Sequence, residues 1–316
     1  MIYLLTDYGN KDYFVSALKI IINNFLDNFN LKTNLIDITH DIQRHNIIEG
    51  IINLQAVLDI VQNKSVFLVV IDPQVGDSRN LIYNKPILAK FSNNKSKKEL
   101  YIVARNNGIL TAFYNKNYKL DYIYKISLKK IEDDIKSKGI FYKSMIKEID
   151  DTFHGKCVFA PIAALTLLKM YHINYLDKFI TKDYTLKPFI LKDLFKIDTN
   201  KDYVKGKLLY YDHFGNVITN IPSNKISKFK YAIIKNKTTI NDDNKIVIDK
   251  IYNSYSQAIK DELFFIKGSF GYLEISINQG NAFKTINEYF FCNSNISSQH
   301  FNITQSFNEF EIWVYF

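Results

Sequence analysis

Hydrophobic and polar positions follow two different rhythms along the 316 residues. In the first half, short apolar runs at 2–6, 33–38, 66–71, 87–91, 100–104 and 122–126 read as strands. Stretches with helical spacing lie between them. Phe14, Leu18, Ile21, Ile22 and Phe25 make one apolar face over 12–25. Further helices are predicted at 46–61 and 159–170, the latter with Pro161 in its first turn, where a missing N–H is tolerated. The run at 66–71 is unbroken and rich in β-branched residues, as expected of a strand buried on both faces. Strands alternating with helices predict an α/β layer with a largely parallel sheet.

After residue 171 or so the rhythm changes. The stretch 175–200 is lysine-rich, weakly periodic and contains Pro188, so it reads as a connection. From 203 onward the runs are short and strand-like, at 203–211, 217–221, 231–234, 245–248, 263–267, 272–277 and 311–316. Turn residues separate them, which predicts a small antiparallel β-barrel or sandwich; 294–308 is mostly polar and reads as a loop. The predicted organisation is an N-terminal α/β domain over 1–175, a linker over 176–202 and a C-terminal β-barrel domain over 203–316.

Composition narrows the classes. No apolar run approaches the roughly 18 residues of a membrane helix. The N-terminus has no basic stretch and is interrupted by Asp7, which argues against a signal peptide. Two cysteines, Cys157 and Cys292, provide neither a disulfide framework nor a zinc site, so a reducing, cytoplasmic compartment is expected. The net charge is +9, but Arg44, Arg79 and Arg105 are the only arginines among 41 basic residues. Base readout favours the planar arginine fork, so no nucleic-acid partner is expected from the charge.

Against this lysine- and asparagine-rich background, scarce residue types gather in a few places. Thr6-Asp7-Tyr8-Gly9, followed by Asp12, sits at a strand's carboxyl end, where open α/β sheets bind ligands. Asp7 could bind a vicinal diol or merely start a turn, and Asp12 could cap the helix that follows. His40, in Asp37-Ile38-Thr39-His40-Asp41, reads as a structural group or a ligand contact. Asp72-Pro73-Gln74-Val75-Gly76-Asp77-Ser78-Arg79 follows the most buried strand. An arginine kept in a lysine-rich chain suggests a need for a planar, permanently charged donor, although an Asp–Arg loop clamp would use the same pair. Asp151-Thr152-Phe153-His154-Gly155 places a histidine at a helix entrance, able to handle a proton near neutral pH or to cap. In Asp212-His213-Phe214-Gly215-Asn216, the Asn216 amide can donate and accept. Gly268-Ser269-Phe270-Gly271 would let backbone approach a ligand closely, or simply turn a hairpin.

These six segments, in this order, resemble the S-adenosyl-L-methionine hydroxide adenosyltransferase family, relatives of the fluorinase and chlorinase. The resemblance runs from Ile2 to about Ala282. It implies an N-terminal α/β domain, a C-terminal β-barrel domain and a homotrimer with active sites between subunits. It also implies displacement at ribose C5′, with water or hydroxide as nucleophile and adenosine and L-methionine as products. By motif, Asp72, Arg79 and His154 correspond to the set that positions and activates water. Asp7 corresponds to the ribose-binding carboxylate, Asp12 and Asp212 to residues near the methionine end, Asn216 and Tyr255 to adenine contacts, and Ser269 to a methionine contact.

The sequence departs from its relatives in places. His45 stands where they carry Phe or Trp, Asn46 replaces a common Asp, Arg105-Asn106-Asn107-Gly108 replaces Pro-Asp-Asn-Gly, and Phe270 stands where the fluorinase has Arg. A sulfonium is already an activated leaving group, so neither a metal nor a cofactor is expected; the difficulty is the nucleophile. Two other readings compete. One is a chlorinase-like halogenase, against which Asp72 stands, because halide users carry Tyr there and a carboxylate repels an incoming anion. The other is a non-catalytic module that binds adenosine or S-adenosyl-L-methionine.

Overall fold

The computed structural model describes residues 1–71, 84–226, 228–237, 245–291 and 310–316. The chain divides into two units, Met1–Leu191 and Lys192–Phe316. In the first, the elements run β1 (Ile2–Thr6), α1 (Phe14–Asp27), β2 (Leu35–Thr39), α2 (Ile47–Leu58), β3 (Ser65–Val70), β4 (Pro86–Asn93), β5 (Lys98–Arg105), α3 (Thr111–Asn115), β6 (Lys119–Ile126), α4 (Leu128–Lys136), α5 (Ile140–Lys143), α6 (Ala160–Met170) and β7 (Ile180–Lys182). The sheet order is β2-β1-β3-β5-β4-β6-β7.

Parallel pairing joins β2, β1, β3 and β5. Beyond β5 the pairing is antiparallel. The cause is local: β4 and β5 are joined by a tight hairpin in which the Asn93 side chain accepts from the Lys95 and Ser96 amides, and a hairpin can only return antiparallel. Every residue of β3 is buried, and the sheet is covered on both faces. On one face, Leu18, Ile22 and Phe25 of α1 and Leu165 and Leu168 of α6 share a core with Ile2, Leu4 and Leu68. On the other, α2 brings Gly50 against Leu5, Ile71 and Ile109, so closely that a β-carbon there would lie 2.3 Å from Ile71 Cδ1.

The second unit contains β8 (Asp198–Thr199), β9 (Tyr203–Tyr211), β10 (Val217–Pro222), β11 (Tyr231–Asn236), β12 (Lys245–Ile248), β13 (Ile251–Tyr252), β14 (Leu263–Lys267), β15 (Tyr272–Ile277), α7 (Ala282–Phe291) and β16 (Phe310–Tyr315). Its sheet runs β12-β11-β16-β9-β10-β15-β14-β13, with β8 added beside β9. Pairing is antiparallel except between β13 and β14. The sheet curls so that β12 comes near β14, which makes a half-barrel around Val217, Phe265, Leu273 and Ile312. Helix α7 adds Ala282, Ile286 and Phe290 to that core.

The stretch 176–202 contributes to both units. β7 extends the first sheet beside β6, and Asn106 ties down the chain after it by donating to Lys187 O at 2.9 Å and accepting from Phe189 N at 2.8 Å. Among the described residues, no helix is long and apolar enough to cross a membrane.

Candidate active site

In the first unit the site is built on the carboxyl ends of β1 and β5 and on the entrance to α6. As β1 ends, the Asp7 amide is held by Val70 O at 3.3 Å and the Gly9 amide by His40 O at 2.7 Å; Gly9 takes φ +70° to make the turn. Asp7 is thereby turned toward the segment before α2. Its Oδ2 accepts the His45 backbone N–H at 2.9 Å and lies 3.7 Å from His45 Nδ1. The segment is anchored by a cap: Asn46 Oδ1 accepts from Glu49 N at 3.0 Å, while Glu49 Oε2 accepts from Gln43 N and Asn46 Nδ2. Burial pushes the Glu49 carboxyl up, partly offset by those two donors. His40 is a strut. It is buried, with Thr6 Oγ1 at 2.8 Å from Nδ1 and Asp37 Oδ1 at 3.0 Å from Nε2.

At the α6 entrance, Asp150 accepts from the Thr152 amide and hydroxyl at 2.9 and 2.6 Å. A wide π-type turn, Gly155–Phe159, then leads into the helix. Gly155 leaves room there: a β-carbon would come within 2.5 Å of the Tyr8 hydroxyl. His154 faces a cavity of about 270 Å³ that also presents Asp7, Arg44, His45, Arg105 and Asp151. Arg105 Nη2 lies 3.0 Å from His154 Nδ1, and its Nη1 donates to Asn84 O at 3.0 Å. Asn107 Nδ2 holds Ile71 O at 2.7 Å and so fixes the chain one residue before Asp72.

The second unit has its own cavity, of about 830 Å³, beside β15. Asp212 organises its rim: Oδ1 accepts the Phe214 and Asn216 amides, both at 2.9 Å, and Oδ2 accepts Asn216 Nδ2 at 2.9 Å. Gly215, at φ +84°, completes this loop. Tyr255, Ser269 and Phe270 line the same cavity. So does Glu274, whose carboxyl is pushed up to about 7 by burial and by the neighbouring Asp212. Burial, then Glu274 and Asp212, likewise push the Tyr255 phenol up.

Of the sequence-predicted residues, Asp7 and His154 share the first cavity, and Asp212, Asn216, Tyr255 and Ser269 share the second. Asp72 and Arg79 lie outside the described residues. Asp12 is exposed ahead of α1 and lines neither cavity; nor does it cap that helix, whose N-cap is Tyr13 with no side-chain cap bond. Sequence reasoning did not assign Arg105 or Glu274 to a site. Arg105 had a signal, being one of only three arginines. Glu274 had a weaker one, being a carboxylate at an inward position of an apolar strand.

Comparison with known proteins gives this arrangement a setting. The S-adenosyl-L-methionine (SAM) hydroxide adenosyltransferase N-terminal domain matches residues 2–175, and the C-terminal domain of the same family matches 206–287. A relative from Methanocaldococcus jannaschii, (R)-S-adenosyl-L-methionine hydrolase, is 30% identical over 293 residues, which is 91% of this chain and 92% of the relative. The crystal structure of an uncharacterized conserved protein from Thermotoga maritima aligns with TM-score 0.70 at 27% identity, covering 99% of each chain. A conserved hypothetical protein from Thermus thermophilus has the same fold, with TM-score 0.63 at 16% identity over 100% of this chain and 99% of its own. With both domains matched in order across most of its length, this chain belongs to the SAM hydroxide adenosyltransferase family.

Proposed function

We propose that this protein hydrolyses S-adenosyl-L-methionine at ribose C5′, releasing adenosine and L-methionine. The observation that carries the reading is the match over 91% of the chain to a relative named (R)-S-adenosyl-L-methionine hydrolase, together with both domains of the hydroxide adenosyltransferase family. The relative's name specifies the (R) sulfonium epimer, and we extend that preference to this chain.

The chemistry divides between the residues assigned by motif. Asp7 binds the ribose diol, and Asn216 and Tyr255 hold the adenine. Asp212 and Ser269 face the methionine end, with Asp12 assigned there by motif alone. The reacting oxygen is held by Asp72, Arg79 and His154. The C5′–O bond forms as the C5′–S bond breaks, and its electron pair stays on sulfur, giving a neutral thioether. Because the leaving group is already cationic, no acid is needed to expel it, and we assign the reaction no metal and no cofactor. Cationic donors near the incoming oxygen stabilise hydroxide, which is otherwise scarce because water has a pKa of about 15.7.

The assembly we expect is a homotrimer working in the cytoplasm, with no nucleic-acid partner. Light scattering during gel filtration tests the oligomer. For the activity, purified protein is incubated with each sulfonium epimer and the products separated by chromatography. Adenosine and methionine in equal amounts, faster from the (R) epimer, are expected.

A further inference from the structure

Arg105 is one of three arginines among 41 basic residues, and none of the motif-assigned roles uses it. The end of β5 aims it into the first cavity, where its guanidinium carbon sits 5.7 Å from the Phe159 ring centre. Its Nη1 donates to Asn84 O and its Nη2 lies 3.0 Å from His154 Nδ1. A guanidinium offers donors only and stays charged at any ordinary pH. The hydrogen bond therefore runs from Arg105 to His154, and Nδ1 is the acceptor. A neutral imidazole has one donor and one acceptor nitrogen, which leaves the proton on Nε2.

We propose that Arg105 is a positioning residue that fixes His154 in the Nε2–H tautomer, so that His154 serves the cavity as a hydrogen-bond donor and not as a base. The consequence for catalysis rests on His154 belonging to the hydrolytic site; the tautomer itself does not. With Nδ1 engaged and Nε2 protonated, the ring has no lone pair ready to take a proton from water. A second proton would break the Arg105 bond and place a cation against a cation. Among the described residues, the other ionisable groups facing this cavity are Asp7 and Tyr8 after β1, Arg44 and His45 before α2, and Asp151 beside His154; Lys156 nearby lies 3.5 Å from Asp150. A donor at Nε2 suits hydroxide, formed when water has already lost its proton to solvent. C5′–O forms, C5′–S breaks toward sulfur, and neither event asks His154 to accept a proton.

The test is ¹⁵N NMR of the full-length protein labelled at histidine, with the His154 signals identified by their loss in His154→Gln. The wild-type ring should show a protonated Nε2 and an unprotonated Nδ1, unchanged from about pH 6 to about pH 8. In Arg105→Met the two tautomers should mix and the ring should titrate near its ordinary value of about 6.5. A break at that pH should also appear in the turnover profile of Arg105→Met and be absent from wild type, and Arg105→Lys, which restores a cationic donor, should recover the single tautomer. A wild-type ring protonated at Nδ1, or titrating within that window, overturns the proposal whether or not Arg105→Met folds. Absence of any hydrolysis, with the Nε2–H signature intact, would instead remove the functional reading and leave the tautomer assignment standing.

Discussion

Asp7 and His45 are coupled through the main chain. The Asp7 carboxylate accepts the His45 N–H at 2.9 Å while His45 holds a left-handed φ of +66°. Non-glycine residues adopt that conformation uncommonly, histidine more often than most, and the Asp7 acceptor holds His45 in it. Asp7→Ala removes that support together with the proposed diol contact. We expect KM to rise about tenfold or more, since a hydrogen bond to a charged group is worth about 1.5–3 kcal/mol, with kcat changed much less. Steady-state kinetics decide it; an unchanged KM with a collapsed kcat would move Asp7 from binding to chemistry.

Gly155 lets the Tyr8 hydroxyl pass against the backbone. In Gly155→Ala the new methyl would meet that oxygen at 2.5 Å and Phe153 Cε2 at 3.0 Å. Overpacking of this kind costs about 1–3 kcal/mol, which should appear as a lower urea midpoint, with reduced turnover because His154 is adjacent. Tyr8→Phe removes the hydroxyl, so the double variant should recover part of the loss. Equal losses in the single and double variants would place the strain elsewhere.

Glu274 gives a pH signature. An ordinary glutamate titrates near 4.5, whereas here the native carboxyl is pushed up to about 7. Between those values the native state keeps a proton that the unfolded chain has lost. This group's contribution to stability is therefore full below about 4.5 and declines as pH rises toward about 7. Urea unfolding across that window should show a downward slope that is flatter in Glu274→Gln. An identical slope in the variant would remove Glu274 as its source.

Arg79→Lys keeps the charge but loses the planar fork. If Arg79 holds the reacting oxygen, turnover should fall by roughly one to three powers of ten with little change in KM. Near-wild-type turnover would make Arg79 a loop clamp.

Most strands were legible because their runs are apolar and bounded by turn residues; β1, β3 and β15 are buried along their entire length. The helix α4 was missed. It reads Leu-Lys-Lys-Ile-Glu-Asp-Asp-Ile-Lys and buries only Ile131 and Ile135, so two inward residues had to signal a helix through seven others. The antiparallel half of the sheet was hidden for a different reason. A β-strand has the same period of two whichever way its neighbour runs, so direction came from the hairpin after Asn93. At the site, single motifs left Asp7 and His154 open between binding and structural roles; their shared cavity brings them together. Arg105 stood out only by rarity, because its contact with His154 spans 49 positions, and nothing in local spacing encodes such a distance. Asp12 shows the converse, a carboxylate well placed in sequence but exposed in space.

The central claim is hydrolysis at C5′, and isotope labelling reaches it directly. The protein is incubated with S-adenosyl-L-methionine in ¹⁸O-water containing saturating chloride, and the products are resolved by mass spectrometry. The account predicts adenosine carrying one ¹⁸O at the 5′ position and unlabelled methionine. Predominant 5′-chloro-5′-deoxyadenosine, or substrate bound but unchanged after hours, would contradict it.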